Sequence, residues 1–233
     1  MNLFFRDDIS SSIIELNSEE SRHCIKVLRL RRGDAIHLTD GKGNLAEAII
    51  IDDSIRSCSV EIKKREKKSF ERNYYLTIAI APTKNHDRFE WFVEKATEIG
   101  VDKIIPLICS RSERRTVKTE RLKNIAIAAL KQSQKYFLPE ISEPVLFQDY
   151  AKRNNAEQKF ICTCEATSTL HVKNLCKPNQ NYSVLIGPEG DFSPEEIKLA
   201  LENNFIEATL GSTRLRTETA GIVACSAIAF ANE

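Results

Sequence analysis

From residue 74 onward, short apolar runs rich in β-branched residues alternate with stretches whose apolar positions recur every three or four residues. Residues 74–80 are too few for a helix and close on Ala81-Pro82, so they read as a buried strand. Phe89, Phe92, Val93, Ala96 and Ile99 follow at helical spacing, and Gly100 stands where a C-terminal cap belongs. Residues 103–108 form the next strand, and Thr119 is placed to cap a helix with the stripe Leu122, Ile125, Ala126, Ala129, Leu130 and Ser133. Further strands are expected at 159–164, 182–186 and 206–210. Such alternation buries its apolar faces in an α/β arrangement, a mainly parallel sheet with helices on both faces.

Residues 1–72 differ. Five short apolar runs are separated by turn signals, among them Arg32-Gly-Asp34 and the hairpin sequence Asp40-Gly-Lys-Gly-Asn44. One helix is expected at 18–28, opened by Glu19 and Glu20 and turning Cys24, Ile25 and Leu28 inward. Together these suggest a small β-barrel. Residues 63–72 are charged without apolar periodicity, an exposed linker or a last edge strand, and the domain boundary falls near Arg72. The two domains expected are 1–72 and 73–233.

The formal net charge is +1, but the charges are segregated. Arg22, Lys26, Arg29, Arg31 and Arg32 share one stretch with no acid among them, and a second basic patch runs from Arg111 to Lys135. Basic patches on a neutral chain suit RNA phosphates, although either patch alone reads equally well as a solvated face. The start, Met1-Asn-Leu-Phe-Phe-Arg-Asp-Asp, does not resemble a signal peptide, and no apolar run approaches the roughly 20 residues of a membrane span. A cytoplasmic protein is expected. Seven cysteines form no Cys-x-x-Cys, and Cys162-x-Cys164 has no partner pair at zinc spacing, so free thiols and no metal are expected.

The densest motif lies near the C-terminus. A buried strand at 182–186 meets Gly187-Pro-Glu-Gly190, where two glycines permit positive φ and close backbone approach. Ser193-Pro194-Glu195-Glu196 then opens a helix with a capping box. A second strand reaches Gly211, and Arg214 and Arg216 lead into a last helix from Glu218. Two glycine-bearing loops at neighbouring strand ends make a ligand crevice.

Gly187-Pro-Glu-Gly190 followed by Leu210-Gly-Ser-Thr-Arg-Leu-Arg-Thr-Glu-Thr-Ala220 resembles the cofactor-binding knot of SPOUT-class RNA methyltransferases. More closely, the chain is similar to the bacterial family that methylates N3 of a uridine in 16S ribosomal RNA. The likeness extends to Arg22-His-Cys-Ile-Lys-Val-Leu-Arg29, to Pro82-Thr-Lys-Asn-His-Asp-Arg88, to Arg111-Ser112 and to Gln132-Ser133 with Leu138-Pro139. It implies a deep trefoil knot, an N-terminal PUA-like barrel, a homodimer, 16S rRNA in the small ribosomal subunit as partner and S-adenosylmethionine as cofactor. RNA contacts would then come from Arg6, Arg22, Lys26, Arg29, Lys84, Arg88 and Arg111. Two positions depart: Asp191 stands where the family usually has a third glycine, and Lys135 where arginine is common.

For methyl transfer the donor is already activated, so the protein supplies a pocket and an aligned nucleophile. Backbone groups around Gly187, Gly190 and Gly211 would hold the adenosyl part, and Leu185, Ile186, Leu210 and Leu215 the apolar walls. Pro188, Glu189, Arg216, Thr217 and Ala220 complete the expected cofactor site. Guanidinium stabilises charge developing on uracil oxygens, which points to Arg216, with Glu189 or Glu218 orienting it or accepting the proton. The alternative for Arg216 is a structural ion pair with Glu218 or the acidic helix. The last helix is apolar on most of its surface, burying itself within one chain or across a dimer contact. Dinucleotide, P-loop, zinc-protease and esterase motifs are missing. Two other functions fit the same residues: a non-catalytic RNA-binding assembly factor, or a SPOUT enzyme for another nucleotide.

Overall fold

Alternating inward apolar and outward polar residues build the N-terminal sheet. The computed structural model describes residues 1–70, 72–164 and 170–233. These divide into two units, one holding the chain before Arg72 with Ile127–Leu138, the other Arg72–Ala126 with Pro139–Glu233. In the first unit, strands β1 (Leu3–Phe5), β2 (Ile13–Glu15), β3 (Ala35–Thr39), β4 (Asn44–Asp52) and β5 (Ser59–Lys67) pair in the order β1-β3-β4-β5-β2. The sheet curls around Phe4, Leu16, Ile36, Leu38, Ile50 and Val60. Asp40 makes the β3–β4 hairpin by accepting the Lys42 and Asn44 N–H groups at 2.8 and 3.2 Å. The charged segment after residue 63 continues β5 to Lys67, paired with Asn44, and is therefore strand rather than linker.

The expected helix at 18–28 forms in two parts. Asn17 caps α1 (Ser18–Arg22) by accepting the Glu20 N–H, and the chain then widens into a π-helical turn over His23–Val27. The Leu28 N–H reaches back five residues to the His23 carbonyl. Cys24 and Ile25 are buried as expected, but the extra residue in the turn carries Leu28 out of the stripe. Arg29 takes a left-handed conformation (φ 58°), and Leu30 packs on the core instead.

The second unit holds the parallel sheet. Strands β6 (Tyr75–Ile80), β7 (Lys103–Ile108), β8 (Glu140–Ile141), β9 (Val145–Leu146), β10 (Gln158–Cys162), β11 (Asn181–Ile186) and β12 (Ile206–Ala208) belong to it. Their order is β12-β10-β11-β6-β7-β8, with β9 also on β7, and every pairing is parallel. The helices are α2 (His86–Ile99), α3 (Thr119–Gln132), whose residues from Ile127 belong to the first unit, α4 (Phe147–Arg153), α5 (Val172–Leu175), α6 (Pro194–Glu202) and α7 (Thr217–Ala231). Side-chain alternation sends Ala79, Ile161 and Leu185 to the face packed by Phe147 and Ala151 of α4 and Ala200 of α6. Ile80 points to the other face, where α2 and α7 lie.

Several helix ends match their chemistry. Gly100 is left-handed (φ 116°) and closes α2, while Ser193 and Glu196 form a reciprocal capping box on α6 with Pro194 at its first position. Thr119 does not cap α3. The Lys118 carbonyl already accepts the Leu122 N–H, so the helix starts one residue earlier, and the buried Thr119 hydroxyl makes no hydrogen bond. Among the described residues no helix is long and apolar enough to cross a membrane.

Gly221 sets the approach of α7 to α2 and the sheet. A methyl there would stand 2.5 Å from Phe92 Cε2 and 2.9 Å from Ile80 Cδ1, both in buried side chains. Gly221→Ala gains about 1 kcal/mol of helix propensity but incurs about 1–3 kcal/mol of overpacking. At 2.5 Å the clash dominates. Urea unfolding is expected to show net destabilisation, and an unchanged midpoint would refute this packing.

Candidate active site

Strand β11 is buried from Tyr182 to Ile186, and its last residue hands the chain to Gly187-Pro188-Glu189-Gly190-Asp191. Neither glycine uses the positive φ it permits. Gly187 is closely packed: a methyl would stand 3.2 Å from the Phe192 ring and 3.3 Å from Asp191 Oδ1, and either side chain would have to give by a few tenths of an ångström. The left-handed residue is Asp191 (φ 61°), whose carboxylate accepts the Phe192 N–H at 2.8 Å and the Cys164 N–H at 2.7 Å. Asp tolerates this conformation better than most residues because its short side chain bonds locally. Arg111 braces the turn from the β7 side, donating to the Gly190 and Phe192 carbonyls at 2.8 and 3.2 Å. Ser110 donates its N–H and hydroxyl to the Glu196 carboxylate, tying the same loop to the start of α6.

The neighbouring strand ends complete the site. After β12, Thr209 bonds both the N–H and the carbonyl of Gly211 through its hydroxyl, and Gly211 takes φ 134°, a conformation that favours glycine. The loop then passes Arg214 and Arg216 to α7, where the Thr217 hydroxyl donates to the Gly187 carbonyl at 3.1 Å. That bond ties the Gly187 corner to the start of α7, where the Gly211 loop ends. Between them lie two clefts, of about 270 and about 830 Å³, both bordered by Cys162, Cys164, Asp191 and Arg214. The larger falls in the size range of small-molecule sites.

The chain matches the model of an RNA methyltransferase domain over residues 70–229 and that of an RNA methyltransferase PUA domain over residues 16–63. The ribosomal RNA small subunit methyltransferase E of Rickettsia conorii is 35% identical over 222 residues, covering 94% of this chain and 90% of its own. This chain belongs to the ribosomal RNA small subunit methyltransferase E family. Its fold is similar to that of a probable rRNA-methyltransferase from Porphyromonas gingivalis, with TM-score 0.90 and 41% identity over 97% of this chain and 96% of that one. It is also similar to a ribosomal RNA small subunit methyltransferase E from Neisseria gonorrhoeae bound to S-adenosyl methionine, with TM-score 0.87 and 27% identity over 97% and 96% of the two chains.

Within this family member, the structure brings most of the expected cofactor residues together. Ile186, Gly187, Pro188, Glu189, Arg216 and Thr217 line the smaller cleft. Gly190, Leu210 and Gly211 line the larger one, and Leu215 and Ala220 border both. Leu185 is apart: it is fully buried in the core under α4 and α6 and lines neither cleft. The charged residues are distributed unevenly. Arg216 is exposed and precedes the first turn of α7, and Glu189 accepts the Lys84 N–H at 3.0 Å. Buried Glu218 faces Arg88 at 3.8 Å, so one of the two partners named in the alternative for Arg216 pairs with Arg88. The Lys84 ammonium pairs with Glu113 at 2.9 Å. Arg22, Lys26 and Arg29 are exposed in the first unit, where the Arg6 N–H donates to the Thr39 carbonyl.

Spacing along the chain does not mark the end of β10 as part of the site. Cys162, which pairs with Ile186 of β11, and Cys164 both border the clefts. Burial pushes the Cys162 thiol up to about 12, and the Cys176 thiol up to about 11 for the same reason, so both stay protonated near neutrality. Among the described residues no group of three or more His, Cys, Asp or Glu could hold a metal ion. Asp191 itself carries the signal, since a short carboxylate just after Gly-Pro-Glu-Gly can cap backbone N–H groups and tolerate a left-handed conformation. Asp191→Gly keeps the turn and loses two hydrogen bonds, whereas Asp191→Ala loses both and adds left-handed strain of about 1–2 kcal/mol. In denaturant titrations the alanine variant should therefore be the less stable by about that difference. Equal stabilities would contradict the assigned turn.

Proposed function

We propose that this protein transfers a methyl group from S-adenosylmethionine to N3 of a uridine in 16S rRNA of the small ribosomal subunit. The observation that carries the reading is the Thr217–Gly187 bond, which ties the start of α7 to the Gly187 corner beside clefts lined by both glycine loops, in a chain of this family. The fit to the cofactor rests on the same clefts. Gly211 faces open space, Ile186, Leu210 and Leu215 supply apolar surface, and the turn at Gly187–Gly190 presents its backbone. When bound there, S-adenosylmethionine supplies the activated methyl group.

The chain's own residues serve the uracil. An N3–H is weakly acidic, and charge released from it spreads to O2 and O4. Arg216, exposed at the cleft edge, is assigned to stabilise that charge. Of the two carboxylates, Glu189 shares the smaller cleft with Arg216, whereas Glu218 is buried against Arg88. Glu189 is therefore assigned to orient Arg216 or take the proton, and Glu218 to fix the start of α7 through Arg88. The domain of residues 1–72 grips RNA and that of 73–233 carries the chemistry, in the trefoil-knotted form the family resemblance implies. Half-exposed Ile222 and Val223 with the 71% exposed Phe230 offer a surface on α7 for a second copy in a homodimer. Such an enzyme works in the cytoplasm, where ribosomes are made.

Calorimetry with S-adenosylmethionine should show binding, and mass mapping of nucleosides should show 3-methyluridine in small-subunit RNA after incubation. A protein that binds no S-adenosylmethionine is an assembly factor instead, and a different methylated nucleoside names a different target. Arg216→Ala should retain its fold and lose about 10²–10³ in kcat, the range for one donor to a developing anion. Full turnover in that variant removes the assignment. Glu218→Gln, which touches only the support through Arg88, should cost less than Glu189→Gln.

A further inference from the structure

We propose that Val27 and Leu28 form an apolar contact for an unstacked base of RNA, set within cations that hold the flanking phosphates. This deepens the reading of the substrate as RNA and rests on it. A regular α-helix through residue 28 would place Leu28 on the face of Cys24 and Ile25, inside the curled sheet. The π-turn undoes this: the His23 carbonyl bonds the Leu28 N–H, the Cys24 carbonyl bonds the Leu30 N–H, and Leu30 takes the core position. Val27 is left 63% exposed and Leu28 37% exposed, side by side at the end of the turn. Widened turns of this kind recur at functional sites, since they give up regular packing to aim particular side chains.

The surroundings choose the occupant. Arg22 and Lys26 stand on the same helical stretch, Arg29 is turned outward by its left-handed backbone, and Arg32 follows. Among the described residues none of these four is in an ion pair. An apolar protein surface laid on this tip would bury those cations without partners, a costly arrangement. A nucleic acid strand pairs them with phosphates while the apolar tip meets a base face, the combination by which unstacked nucleotides are bound. The site is thus a base contact inside a phosphate clamp.

The test uses purified small ribosomal subunits and the full-length protein with Val27 and Leu28 both changed to serine. Both positions are exposed, and Val27→Ser alone serves if the double variant is unstable. Methyl transfer should show a KM for subunits raised about tenfold, with kcat and S-adenosylmethionine affinity unchanged. Leu28→Met, which keeps the tip apolar, should hold KM close to the wild-type value. The slope of log affinity against log salt should stay at the wild-type value in the serine variant, whereas Arg29→Ala should lower it by about 1. A wild-type KM in the serine variants overturns the proposal, as does a fall in salt slope equal to that of Arg29→Ala. If the wild-type protein transfers no methyl, the functional reading fails on its own. Co-sedimentation with subunits then still decides the tip: equal binding by wild-type and serine variants refutes it.

Discussion

The common register of four parallel strands controls the rest of this structure. Ile80, Ile186, Cys162 and Ala208 are aligned across the ladders, so β6, β11, β10 and β12 all end at one level. Their following loops must therefore leave the sheet side by side. Parallel pairing places every carboxyl end on the same edge, and the buried faces forbid a slip, since moving β11 by one residue would exchange Leu185 with Ile186 between opposite faces. The cleft is a consequence of that alignment rather than of any single loop.

On this frame, short polar links hold the loops at working distance. Thr217 bonds the Gly187 carbonyl, Arg111 bonds the carbonyls of Gly190 and Phe192, and Asp191 bonds the Cys164 N–H. Each satisfies a backbone group that would otherwise need water at the edge of the core. The cost of such an arrangement is close packing, visible at Gly187 against Phe192 and at Gly221 against Phe92. Cleft-facing backbone and core-facing side chains are thus carried by the same few residues.

The N-terminal unit shows the opposite economy. Its core is complete without Leu28, because Leu30 fills the position, and the side chain released is presented outward among cations. A regular helix would have been the easier local solution. The π-turn and the left-handed Arg29 are departures from local preference, and such departures concentrate where a protein meets its ligands.

Periodicity and turn chemistry alone made the α/β order, the caps at Gly100 and Ser193 and the hairpin at Asp40 readable, because each depends on residues within a few positions of one another. The same holds for the two glycine motifs, whose order along the chain pointed to one crevice. Other features depended on pairing between distant segments. Strand order placed Cys162 and Cys164 in the cleft, Leu185 beneath the sheet and Arg88 beside Glu218, none of which spacing along the chain encodes. At Gly187–Asp191 the sequence named the turn and allowed positive φ at its glycines, but only the contacts with Phe192 and Cys164 decide that Asp191 is the residue that turns left-handed. Local interactions are written in neighbouring residues; the site is made by contacts that exist only after the strands have aligned.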